Sequence, residues 1–72
     1  MSMAAPKFRV ASHETVYNYL DERLGKVASV HNIKTHTTLS LDAVRKALAA
    51  MKKRGLVVQM PDTTVWHIKE ES

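Results

Sequence analysis

Cysteine is absent from all 72 residues, so neither a disulfide framework nor a thiolate metal site can hold this chain together. That absence fits a reducing compartment. Glycine and proline number two each, and Gly25 lies far from Gly55, which excludes a glycine-rich phosphate loop. No apolar run approaches the roughly 18 residues needed to span a bilayer. The opening MSMAAPKFRV lacks the apolar stretch and cleavage site of a signal peptide. A cytoplasmic protein is expected, nucleoid-associated or, in a eukaryote, nuclear, with no membrane partner. Acids are scarce in the middle of the chain. Between Lys26 and Met60 there are seven basic residues (Lys26, Lys34, Arg45, Lys46, Lys52, Lys53, Arg54) and one acid, Asp42; the remainder carries four basic residues and six acids. Positive charge is therefore concentrated where it can form a face for a polyanion.

What is present suits one small folded domain. Apolar residues make up 44% and charged residues 25%, an ordinary globular balance in a chain with room for a single core. Residues 1–11 show no periodicity and are expected to be a loose arm, 12–69 the domain and 70–72 a frayed acidic tail. Ser12 is a plausible N-cap for a helix over 12–24, with Glu14 in its first turn and Val16, Tyr17, Leu20 and Leu24 on its apolar stripe. Gly25 ends it. Residues 26–28 suggest a minor strand, and Ser29 caps a second helix over 30–36. Thr37, Thr38 and Leu39 form a tight connection, with Leu39 as its buried plug. Ser40 caps a third helix that Gly55 stops after about Arg54. Residues 56–60 and 65–69 read as two strands around the turn residues Pro61, Asp62, Thr63 and Thr64.

The third helix carries the functional signal. Val44, Ala47, Leu48 and Met51 recur at i, i+3, i+4, i+7 and form a core stripe. Asp42, Arg45, Lys46, Ala49 and Lys53 fall opposite, with Lys52 and Arg54 flanking. Cations near the helix end complement its dipole, but that does not account for Arg45 and Lys46, which lie earlier. A short helix, a tight turn and a second helix with basic residues near its start is the helix-turn-helix arrangement, which sets its N-terminal residues against base edges in the major groove. Arg45 suits bidentate contact with guanine, and Lys46 and Lys53 suit phosphates. Thr38, Ser40 and Leu41 at the helix start, and Thr63 and Thr64 at the hairpin tip, complete the candidate contacts. Trp66 has two roles open to it: stacking on a base or sugar, or packing on the helices. Tyr17 lies on the apolar stripe, whereas Tyr19 points elsewhere and suits a partner surface. His31 and His36 are five apart, off a common helical face, and no ligand set is completed by His13 or His67, so no metal or cofactor is expected. No catalytic constellation follows from spacing, and the chain reads as a non-enzyme.

Ser40, Val44-Arg45, Ala47-Leu48, Met51 and Gly55-Leu56-Val57 together resemble the recognition helix and first wing strand of winged-helix regulators, nearest to GntR-type DNA-binding domains. The resemblance implies an α+β winged helix-turn-helix, three helices packed on a small C-terminal β-hairpin wing, acting as a transcriptional regulator on double-stranded DNA. It makes Arg45 a base-contacting residue and Ser40 a cap near the phosphate backbone. Val27-Ala28-Ser29 departs from the Leu-Pro-Ser-Glu of those domains, and the turn after Met60 has no glycine. The stretch Val65-Trp66-His67-Ile68 is similar to the wing of Z-alpha domains, which bind left-handed nucleic acid, but Arg45 and Ala49 stand where those domains use Asn and Tyr. Winged helices also serve as protein-interaction modules, the competing expectation from another class. A single module binds DNA weakly, so a homodimer or partner protein is expected, through Phe8, Val10 and the first helix. No small-molecule effector is expected.

Overall fold

In the computed structural model, which describes residues 7–61 and 63–69, the chain forms three helices and three short strands. The helices are α1 (Ala11–Glu22), α2 (Val30–His36) and α3 (Leu41–Lys53); the strands are β1 (Val27–Ser29), β2 (Val57–Gln59) and β3 (Val65–Ile68). The strands form one antiparallel sheet in the order β1-β3-β2. The protein is thus a small α+β domain. The expected tail, residues 70–72, and residues 1–6 of the expected arm lie outside the described residues.

Two serines start two of the helices. Ser29 Oγ accepts the Asn32 N–H at 3.1 Å and Ser40 Oγ accepts the Ala43 N–H at 3.1 Å, each satisfying a donor that the first helical turn leaves without a partner. α1 begins differently. Its N-cap is Val10, with no side-chain cap, so Ser12 lies inside the helix and is not the cap expected. The Val10 carbonyl accepts from His13 and Glu14 at 3.1 and 3.3 Å. Just upstream, the Phe8 ring packs 5.4 Å from that of Tyr17; this tertiary contact, absent from any local pattern, fixes how the chain enters the helix. α1 also ends at Glu22, before Leu24. Gly25 (φ 79°) and Lys26 (φ 53°) take left-handed conformations in the turn Leu24–Lys26, which no helix continues through. Because Lys26 is left-handed, β1 starts one residue later than expected.

α3 closes with a complete C-terminal motif. Gly55 N–H donates to Lys52 C=O and Leu56 N–H to Met51 C=O, both at 3.0 Å, the paired bonds that terminate a helix around a left-handed residue. Gly55 has φ 74°, and a Cβ there would meet nothing within 4 Å. Gly55→Ala therefore tests backbone strain alone. It is expected to cost about 1 kcal/mol, read as a lower urea midpoint with an unchanged slope.

The sheet pairs β3 with both neighbours: Ala28 lies opposite Trp66, and Val58 opposite His67. Alternation then sends Trp66 and Ile68 inward and leaves Val65 and His67 half-buried on the outer face. The inward side chains meet the helix stripes. Val16, Leu20, Ile33, Val44 and Met51 are fully buried, and Leu48 is 1% exposed. Among the described residues no polar or charged side chain is buried, so the core is apolar throughout. Leu39 is half-buried against it.

Candidate nucleic-acid interface

α3 is divided sharply between its two faces. Val44, Ala47, Leu48 and Met51 are buried, while Asp42, Arg45, Lys46, Ala49, Lys52 and Lys53 are exposed. Lys46 Nζ lies 3.1 Å from Asp42 Oδ2, with both side chains 76% exposed; such a pair is weak and screened, and opens readily to a better anion. Arg45, Lys52 and Lys53 form no ion pair among the described residues. Ala49 leaves a low point between Arg45 and Lys53, where a surface can approach the helix closely. Arg54 differs from its neighbours, because its guanidinium sits 5.0 Å over the Phe8 ring and is engaged by the fold.

The connection ahead of α3 is built by Thr37. Its hydroxyl donates to Ile33 C=O at 2.8 Å and accepts from the Leu39 N–H at 3.4 Å. Thr38 and Ser40 are exposed beside it, whereas Leu41 is half-buried and packs against the core. Leu41 therefore offers an approaching ligand only part of its side chain. Ser40 Oγ accepts the capping bond and keeps its own O–H to donate outward.

At the β2–β3 turn, Thr63 and Thr64 are exposed. The Thr63 hydroxyl donates to Met60 C=O at 2.9 Å and accepts from the Val65 N–H at 3.2 Å, so it holds the turn's shape. Asp62, expected to contribute turn chemistry, lies outside the described residues. Trp66 is 8% exposed and part of the core cluster. Of its two open roles, packing is the one this geometry permits; its ring faces the helices and cannot stack on a ligand. Thr38, Ser40, Asp42, Arg45, Lys46, Ala49 and Lys53 thus lie exposed on α3 or just ahead of it, and Trp66 falls outside any surface.

One cluster escaped sequence reasoning. Tyr19 and His36 stack with ring centroids 5.6 Å apart, the Tyr19 hydroxyl lies 3.2 Å from His36 Nδ1, and Arg23 sits 5.6 Å from the Tyr19 ring centroid on the ring face. Tyr19 is therefore half-buried between α1 and α2, and no spacing along the chain links residues 19 and 36. Phe8 is likewise occupied within its own fold, while Val10 remains 46% exposed. Among the described residues no group of three potential ligands is placed to hold a metal ion, and no helix is long and apolar enough to cross a membrane. No family model, curated protein or solved structure matches the chain significantly.

Proposed function

We propose that the protein is a winged-helix DNA-binding domain, acting as a transcriptional regulator, with α3 in the major groove and the β2–β3 hairpin as a wing beside the backbone. The observation that carries this reading is the exposed face of α3. It presents Arg45, Lys46, Lys52 and Lys53 around small Ala49, on a helix whose opposite stripe is wholly buried. A helix anchored so firmly on one side holds the other face in fixed register, which base readout requires. Arg45 takes the base-edge role, since its fork matches guanine O6 and N7. Lys46, Lys53, Ser40 and Thr38 take phosphates, which position the helix and supply salt-dependent affinity. The chain does no chemistry in this account and needs no cofactor.

The test is a titration of labelled duplex DNA with wild type and Lys53→Ala across a salt series. Replacing one phosphate contact is expected to weaken binding to all sequences alike and to reduce the salt slope by about 1. A slope unchanged by the substitution would remove Lys53 from the interface. The protein-interaction reading draws on a different observation, the exposed apolar side chains of Val58 and Met60 on the sheet edge.

A further inference from the structure

Two stretches of the chain carry cations and no acid. Residues 7–13 hold Lys7 and Arg9, and residues 43–61 hold Arg45, Lys46, Lys52, Lys53 and Arg54. Residues 14–42 separate them along the chain, and the fold brings them together at one end of α3. The Arg54 guanidinium sits 5.0 Å over the Phe8 ring, and that ring packs 5.4 Å from the ring of Tyr17. Two residues further on, the Val10 carbonyl accepts the His13 and Glu14 N–H groups, which ties it to α1. Lys7 and Arg9 therefore flank an anchored aromatic, and Arg9 lies between two fixed points. Both are exposed, and neither forms an ion pair among the described residues.

The charge gathered there exceeds what the helix end calls for. A helix C-terminus carries roughly half a negative charge, and the last carbonyls of α3 already accept the Arg54, Gly55 and Leu56 N–H groups. Lys52, Lys53 and Arg54 alone outweigh it, and Lys7 and Arg9 add to the excess. Glu14, the acid nearest to them along the chain, stands in the positive first turn of α1 and pairs with none of them. Like charges held close together repel, and their summed field attracts a polyanion. Resting on the reading of α3 as a DNA reader, we propose that Lys7 and Arg9 bind the DNA backbone beside Lys53, so that the segment ahead of α1 extends the interface past the end of α3. Phe8 is the positioning residue. Its contacts with Tyr17 and Arg54 hold both cations near the helix end where Lys53 meets phosphate. Because the segment is held before DNA arrives, little ordering entropy opposes the contact. A backbone contact of this kind strengthens binding to every sequence and reads none.

The test is a salt series of duplex DNA binding for wild type, Lys53→Ala, the pair Lys7→Ala/Arg9→Ala, Phe8→Ala and Phe8→Tyr. Losing two phosphate contacts is expected to lower the salt slope of the charge pair by about 2, on every sequence tried, with an unchanged melt. Phe8→Ala removes no charge, yet it is expected to weaken binding severalfold, and Phe8→Tyr to bind as wild type does. Added to the charge pair, Phe8→Ala should cost no further affinity, because the cations it positions are gone. The outcomes separate the two claims. Wild type that ignores duplex DNA at low salt would overturn the α3 reading and this extension together. A slope lowered by Lys53→Ala but untouched by the charge pair would overturn the extension alone. Should Phe8→Ala fold poorly, the charge pair decides by itself, since both of its side chains are exposed.

Discussion

Leu48→Ala is expected to leave little folded protein at physiological temperature. Leu48 is 1% exposed on the buried stripe of α3, beside Val44 and Met51 at 0%. Truncating a leucine in such a site removes transfer energy and leaves a cavity, together about 2–5 kcal/mol. A 72-residue domain has a total stability of about 4–11 kcal/mol at typical values per residue. The loss is therefore a large share of the whole, and the melting temperature should fall by on the order of 10–30 °C. The matched control is Lys46→Ala on the opposite face, expected to change stability by less than about 0.5 kcal/mol. Thermal unfolding followed by circular dichroism separates the two. A Leu48→Ala melt within a few degrees of wild type would mean that the core is not where the burial pattern puts it.

Arg45→Ala carries the second large effect, on binding and not on folding. The side chain is exposed and makes no ion pair among the described residues, so its removal should leave the melt unchanged. On a duplex selected as the preferred site, affinity is expected to drop by about 1–3 kcal/mol, the value of a good bidentate arginine–guanine pair. The loss should be concentrated at one base position, so that the variant no longer discriminates there. Lys53→Ala, by contrast, weakens all sequences together. An Arg45→Ala variant that weakens every sequence equally would place Arg45 on the backbone and leave base readout to other residues.

Much of the fold was legible because its signals are local. Ser29 and Ser40 cap the helices they precede, and Gly55 holds the positive φ that stops α3, whereas α1 ends at Glu22 against an extended Arg23, ahead of Gly25. The stripe of Val44, Ala47, Leu48 and Met51 is buried as its spacing requires. The missing parts depend on contacts between distant residues. Ser12 looks like a cap, but α1 starts at Ala11, where Phe8 and Tyr17 pack together. Residues 26–28 read as a minor strand, one residue ahead of the observed 27–29, yet nothing nearby indicates that 27–29 pair with 65–67, across almost forty residues of chain. Trp66 likewise depends on tertiary packing: alternation along β3 sets it on the same face as Ile68, and the helices cover that face. For the candidate interface, helical periodicity sorted exposed from buried residues on α3. Leu41 and Thr63 needed the structure, which shows one packed on the core and the other bonded within its turn.

The most direct test of the central claim is an amide chemical-shift titration of the folded protein with duplex DNA at low and moderate salt. If α3 enters the groove, amides of Thr38, Ser40, Asp42, Arg45, Lys46, Ala49 and Lys53 shift together, with smaller changes at Thr63 and Thr64, and all recede as salt is raised. Spectra unchanged by DNA at low salt, or shifts confined to α1 and the sheet while α3 stays still, would contradict it.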